Sequence, residues 1–208
     1  MNPVGNGSNT ASHVWRWLRC AAFIAFLTVA FAISTVPATS AQVADRLKKQ
    51  RSCRDFVQQF YDWHISREVL DEKFPAGRTT SDDVLRLRPH VLSPLLLRLL
   101  KEDSAAQAKA DEIVGLDFDP FFASQDPSSK FEVERVTMKD GHCHAVVNGI
   151  ERGEKRERVM PELVETGEKW VFVNFHYDFN SEVGKPPVDE DLIDLLKRLS
   201  KDRTKPLG

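Results

Sequence analysis

The spacing of apolar residues changes at Gly115 from a helical period to a period of two, and this change constrains the fold more than any other feature. Before Gly115, apolar residues recur at helical spacing. After it, they alternate with polar residues in four segments: 131–138, 142–148, 156–165 and 169–178. Turn signals at Asp140-Gly141, 149–153 and Thr166-Gly167 separate these segments. The pattern therefore predicts a meander of four antiparallel strands. Pro161 cannot donate a ladder hydrogen bond, which indicates an edge position or a bulge in the third strand.

Three helical regions are predicted before the strands. The pair Ser52 and Asp55 resembles a capping box and indicates a helix start. Behind it comes an aromatic face made of Phe56, Phe60 and Trp63, flanked by Val57, Tyr61 and His64. The stretch 71–80 reads as a loop, and a short helical segment follows from Ser81 until Pro89 interrupts it.

Ser93-Pro94 has the favoured order for a helix start, and this helix is expected to continue to about Glu112. Its predicted buried face consists of Leu95, Leu96, Leu99 and Leu100. After the strands, Asp189 is expected to cap a final helix with a stripe of Leu192, Leu195, Leu196 and Leu199. The order predicts an α+β fold, with helices packed on one face of a curved sheet.

The N-terminus has the layout of a secretory signal peptide. Arg16 and Arg19 precede an apolar run from Cys20 to Val36, and small residues follow in 37–41. We predict cleavage between Ala41 and Gln42; an uncleaved signal anchor is the alternative. The predicted organisation is a signal peptide in 1–41, a lead-in in 42–51, a single domain in 52–200 and a flexible tail in 201–208. The expected location is periplasmic or secreted, with no stable membrane span after cleavage.

The charge balance excludes one class of partner. The segment 1–41 contains Arg16 and Arg19 and no acidic residue, so its removal changes the formal charge from −2 to −4. A mildly acidic chain without a basic stripe is not expected to bind nucleic acid. Cys53 and Cys143 remain after cleavage, in a compartment where thiols tend to oxidise. They could form a disulfide or remain two buried thiols.

Four segments carry a resemblance to a known family: 56–63 (FVQQFYDW), 92–96 (LSPLL), 117–126 (DFDPFFASQD) and the pair 167–170 (GEKW) with 174–177 (NFHY). Together they resemble an uncharacterised family of exported bacterial envelope domains, similar to the nuclear transport factor 2-like superfamily. The resemblance covers roughly Cys53 to Leu199. It implies a cone-shaped α+β fold with a pocket between helix and curled sheet, and it implies no catalytic residue.

The segment 117–126 is the strongest candidate for a functional feature, because carboxylates and aromatic rings alternate in it. It could pack structurally, contact a ligand or bind a cation, although the regular oxygen spacing of a calcium loop is absent. The predicted pocket residues are Tyr61, Trp63, Asp117, Phe118, Asp119, Phe122, Gln125, Asp126, Trp170 and His176.

The sequence also contains histidines and carboxylates that could bind a metal or act in catalysis. His142 and His144 project from one strand face, but no third ligand is evident, so no metal and no cofactor are expected. The titratable groups available for acid–base chemistry are Asp62, His64, His176 and Asp178. No Ser/His/Asp order, phosphate loop or nucleotide fingerprint occurs, and no catalytic residue is assigned.

Three functional hypotheses follow. The first is a non-catalytic binding module for a small apolar ligand or an envelope protein. The second is a protein-interaction role, such as an immunity protein or an accessory of an envelope complex, where an acidic surface would suit a basic partner. The third is a proton-transfer enzyme of isomerase or dehydratase type, which requires a cleft-facing carboxylate beside His64 or His176. The superfamily resemblance also implies a homodimer that pairs through the open sheet face.

Overall fold

A computed structural model describes residues 40–71, 80–178 and 189–204. The helices are α1 (Ser40–Asp71), α2 (Thr80–Leu87), a short 3-10 helix (Pro89–Val91), α3 (Pro94–Gln107) and α4 (Leu192–Arg203). The strands are β1 (Lys130–Lys139), β2 (His142–Glu151), β3 (Glu154–Thr166), β4 (Lys169–Asp178) and β5 (Asp189–Asp191). This is an α+β arrangement. The predicted signal segment up to residue 39 and most of the loop 71–80 lie outside the described residues.

The strands form one antiparallel sheet in the order β1-β2-β3-β4-β5. The prediction of four strands missed β5, a strand of three residues that pairs His176 with Asp191. Three residues are too few for a recognisable period of two. Pro161 lies in β3, which has a neighbour on each side, and the register of β3 with β4 shifts between Glu162 and Leu163. β3 is therefore not an edge strand, and the extra residue at this register shift is Val173 of β4, so the bulge lies in the strand that pairs with β3 and not in the third strand, where it was expected.

One face of the sheet is buried against the helices. Helix α1 packs mainly against β1, and a disulfide between Cys53 and Cys143 joins it to β2. We call this side of the sheet the core face; it carries Phe131, Val133, Cys143, Ala145, Val147, Val159, Leu163, Phe172, Phe175 and Tyr177. Alternate positions carry Thr137, His142, His144, Glu162 and His176, and we call that side the outer face.

Two helix starts differ from the prediction. Helix α1 begins at Ser40, so the expected lead-in 42–51 is helical, and Ser52 is not an N-cap. The Ser52 hydroxyl instead accepts a hydrogen bond from Trp170 Nε1 at 3.0 Å. The N-cap of α4 is Asp191, whose side chain accepts a hydrogen bond from the Asp194 amide, because the expected cap Asp189 is taken into β5.

Helix α3 agrees with the prediction at its start and differs at its end. Ser93 is the N-cap, and its side chain accepts a hydrogen bond from the Leu96 amide. The helix ends at Gln107 rather than near Glu112, because the Gln107 side chain accepts hydrogen bonds from the amides of Val114 and Gly115 and turns the chain back. Leu95 is 42% exposed and is not part of the buried stripe, which Leu96, Leu99 and Leu100 form.

Candidate functional site

The 117–126 loop folds into a compact turn that inserts two rings into the core. The Asp119 amide donates to the Ser124 carbonyl at 3.1 Å, and the Asp119 carbonyl accepts from Ala123 at 2.9 Å. The Asp119 side chain accepts a hydrogen bond from the Phe121 amide at 2.8 Å. Phe121 and Phe122 are fully buried. The loop is therefore held both by its own backbone bonds and by its aromatic side chains.

Asp119 also contacts a histidine on α1. Nε2 of His64 lies 3.2 Å and 3.3 Å from the two carboxylate oxygens of Asp119. His64 is fully buried, and its ring stacks on Phe122 at 4.3 Å and meets the edge of Phe121 at 5.2 Å. Asp62, which the sequence offered as a nearby carboxylate, is exposed and accepts a hydrogen bond from Gln58.

Two polar atoms in this region are buried without a protein partner among the described residues. They are the hydroxyl oxygen of Tyr61 and Nδ1 of His64. Burial, together with the negative charge of Asp119, raises the pKa of the Tyr61 hydroxyl well above its ordinary value. We refer to Tyr61, His64 and Asp119 as the buried polar site.

Tyr177 connects strand β4 to the 117–126 loop. Its hydroxyl donates a hydrogen bond to the Pro120 carbonyl at 2.7 Å. Burial raises the pKa of Tyr177 well above its ordinary value, and the nearby Tyr61 and Asp119 raise it further.

The predicted pocket residues fall into separate environments. Asp119 and Phe122 contact His64, and Tyr61 contacts Phe122. Phe118 contacts Tyr177 edge-on at 5.5 Å. Asp117, Gln125 and Asp126 are exposed. Trp63 is half-buried, with the Arg88 guanidinium 4.0 Å above its ring.

Trp170 and His176 lie away from that group. Trp170 is buried and bonds to Ser52, which precedes His64 by twelve residues, or about 18 Å along α1. The structure therefore does not bring Trp170 to His64. His176 lies on the outer face, on the side of the sheet opposite the aromatic core.

On the outer face, Glu162 bridges two histidines from neighbouring strands. Its Oε1 lies 2.5 Å from Nδ1 of His142, and its Oε2 lies 3.3 Å from Nε2 of His176. His144 lies beside His142, with the two rings nearly parallel at 6.2 Å. We call these four residues the outer-face cluster. Glu162 is a site residue that the sequence reasoning missed, and its only signal was its alternation with buried neighbours in the third predicted strand.

The titration of Glu162 reflects its position between the histidines. Partial burial by itself raises the pKa of this carboxyl group. Hydrogen bonds from His176 and His142, with the charges of His142 and His144, outweigh burial and hold the pKa below its ordinary value. The Nδ1 atom of His176 lies 3.9 Å from an Asp191 oxygen, and that oxygen accepts a hydrogen bond from Asn174 at 2.5 Å. The cluster therefore extends to the N-cap of α4.

Both histidines named in the proton-transfer hypothesis have a carboxylate neighbour: Asp119 at the fully buried His64, and Glu162 at His176 on the outer face. Asp178 is the last residue of β4. Across the part of the chain that the structure describes, no three His, Cys, Asp or Glu side chains converge in a way that could hold a metal ion. Within residues 40–71, 80–178 and 189–204, no helix combines the length and apolar character needed to cross a membrane.

The fold and these sites define the described part of the chain as a disulfide-linked α+β domain. Comparisons with protein-family models, with curated proteins and with solved structures find no match.

Proposed function

We propose that this protein is an exported, non-catalytic binding module that docks an envelope protein on the outer face of its sheet. The observation that carries the proposal is the outer-face cluster. His142 and His176 keep 40% and 25% of their side-chain surface exposed, while Glu162 holds both rings in place. A partner that meets side chains already fixed in this way loses less conformational entropy on binding.

The packing of the core favours a protein partner over a small apolar ligand. Tyr61 stacks on Phe131 at 5.5 Å, and Phe122 packs on Phe131 at 4.8 Å. Trp170 is only 5% exposed. Tyr61 and Phe122, which the sequence suggested for a pocket wall, therefore pack on another ring of the core, and Trp170, also suggested, is buried and bonds to Ser52. We therefore place the binding of a partner on the exposed surface of the domain.

The proposal also includes export and membership of a superfamily. Export through the N-terminal segment fits the Cys53–Cys143 disulfide, since such bonds persist in oxidising compartments. Membership of the nuclear transport factor 2-like superfamily, with its cone-shaped fold, fits an order of helices followed by an antiparallel meander and a long N-terminal helix packed on the first strands.

Site-specific photo-cross-linking in the producing cells tests the docking face. A cross-linking residue at Thr137, which is exposed and lies opposite His144, is compared with one at Leu95, exposed on α3. We expect a protein-sized adduct from position 137 that weakens in a His144→Ala background, and none from position 95. Equal adducts from both positions, or none from either, would contradict the proposal. Native mass spectrometry that shows a small bound molecule instead would favour the ligand hypothesis.

A second candidate function, proton transfer by His64, is favoured by one observation: the imidazole bonds to Asp119 through Nε2 and keeps Nδ1 unpartnered among the described residues. The test incubates the protein with small enolisable carbonyl compounds in deuterated water. Catalysed exchange that is lost in His64→Gln and retained in His142→Gln would support it. Exchange that is no faster than in buffer would rule it out for those compounds.

A further inference from the structure

The buried polar site contains groups whose hydrogen-bonding needs the protein does not meet. A hydroxyl group buried without any partner destabilises a protein, so nearly all such groups are paired with protein or ordered water. Tyr61 is fully buried, and its hydroxyl has no partner among the described residues. His64, three residues later on the same helix, is also fully buried and has Nδ1 unpartnered. Two such atoms on one helix face call for a common explanation.

The two side chains share their surroundings. Residues three apart on a helix are neighbours on its surface. The Phe122 ring lies against both, 4.3 Å from the His64 ring and 6.4 Å from the Tyr61 ring. Asp119 bonds directly to His64 and acts electrostatically on Tyr61. The two side chains that carry the unpartnered atoms therefore share Phe122 as an aromatic neighbour, and one of them bonds to a carboxylate.

The hydrogen bonds that the Tyr61 hydroxyl and the His64 ring can make limit the kind of molecule that could bind to both. The Tyr61 hydroxyl can donate one hydrogen bond and accept others. Because carboxylate oxygens accept, the contact with Asp119 requires a hydrogen on Nε2 of His64; Nδ1 then accepts a hydrogen bond if the ring is neutral and donates one if it is charged. An occupant that can both donate and accept satisfies Tyr61 and His64 in either case. Asp119 already supplies a negative charge, and the walls are aromatic, so the site disfavours an anion.

We infer that the buried polar site binds a small neutral hydroxylic molecule, with water as the occupant, hydrogen-bonded to Tyr61 and to its neighbours His64 and Asp119. Water satisfies the requirement, since buried waters make about three hydrogen bonds to groups that otherwise lack them. The inference concerns a site distinct from the outer-face cluster and does not depend on the docking of a partner there.

Substitution of Tyr61 by phenylalanine tests the site through its effect on the folding equilibrium. The substitution lowers stability if the hydroxyl bonds to water, and it leaves stability equal or raises it if the hydroxyl has no partner. If Tyr61 bonds to water, Tyr61→Phe removes a satisfied bond and lowers the folding equilibrium constant about fivefold or more. If the hydroxyl is dry, its removal relieves a buried unpaired group, and stability stays equal or rises. The matched control is Tyr177→Phe, whose hydroxyl has the Pro120 carbonyl as a partner and whose loss lowers stability in both cases.

A second measurement covers the case in which Tyr61→Phe fails to fold. Water-to-protein cross-relaxation in NMR, or a high-resolution crystal structure of the unmutated protein, detects a long-lived water beside Tyr61 and His64 directly. An ordered water there, with a destabilised Tyr61→Phe variant, supports the inference. A Tyr61→Phe variant as stable as the parent, or a site with no ordered molecule, overturns it.

Discussion

Nε2 of His64 lies within hydrogen-bond distance of both carboxylate oxygens of Asp119, although 55 positions separate the two residues in sequence. This contact fastens the 117–126 loop to the longest helix. It also places a polar pair inside a cluster of phenylalanine rings, where a lost partner is costly because solvent cannot replace it.

Asp119→Ala is therefore expected to destabilise the protein by about 1–3 kcal/mol, since it leaves the His64 imidazole and the Phe121 amide without their acceptor. Urea unfolding measures the change. Asp117→Ala is the control, because Asp117 is exposed in the same loop. If the two variants unfold at the same urea concentration, the His64–Asp119 contact contributes nothing to stability.

Loss of the disulfide is expected to lower stability by about 3–5 kcal/mol, because Cys53 and Cys143 are 90 positions apart and the bridge restricts a long loop in the unfolded chain. The double variant Cys53→Ala, Cys143→Ala is compared with the parent by chemical denaturation under non-reducing conditions. Peptide mapping with thiol alkylation checks the bond itself. Alkylation of both residues without prior reduction would be incompatible with the bridge.

Arg203→Met is expected to destabilise the contact between α3 and α4. Asp103 is buried, bonds to Arg203 at 2.6 Å and accepts a hydrogen bond from the Leu116 amide. Removal of the guanidinium leaves a buried carboxylate without its cation, at a cost of about 3 kcal/mol. The exposed Lys201 supplies the control Lys201→Met. Thermal unfolding of the parent and the two variants measures the effect. We expect a lower unfolding midpoint temperature for Arg203→Met and an unchanged one for Lys201→Met.

The outer-face cluster should contribute a pH-dependent stability. The pKa of Glu162 is lower in the folded protein than its ordinary value, so its contribution is present above that ordinary value and is lost as pH falls through the folded pKa. The stability difference between the parent and Glu162→Gln is therefore expected to shrink as pH falls below the ordinary value of 4.5 toward about pH 3. Denaturation at a series of pH values measures it. A difference that stays constant over this range would argue against the bridge from Glu162 to His142 and His176.

Local patterns predicted most of the secondary structure. The four long strands, the aromatic face of the first helix and the Ser93 cap follow from side-chain periodicity and capping chemistry, which act over a few residues. The same local reasoning placed the first helix start at Ser52, whereas α1 begins at Ser40. A capping pattern inside a longer helix is not distinguishable from one at its start without knowledge of what its side chain contacts. Ser52 bonds to Trp170, 118 positions away.

The candidate sites were predicted less well than the fold. The residue types singled out the 117–126 loop, His64 and the pair His142 and His144 as candidates. The partners of these residues could not be predicted. Asp119, and not Asp62, faces His64. Glu162 bonds to His142 on one neighbouring strand and to His176 on the other. Several carboxylates in the sequence could have served each histidine equally well.

The amino-acid sequence by itself determined the order of helices and strands, because helical and extended periods are properties of consecutive residues. Only the tertiary structure decided which polar groups meet, which aromatic rings become core and which face of the sheet carries the exposed histidines. Those outcomes depend on contacts between residues far apart in the chain, and the register of each strand pair sets them. A shift of one position in β3 would have turned Glu162 into the core and separated it from both histidines.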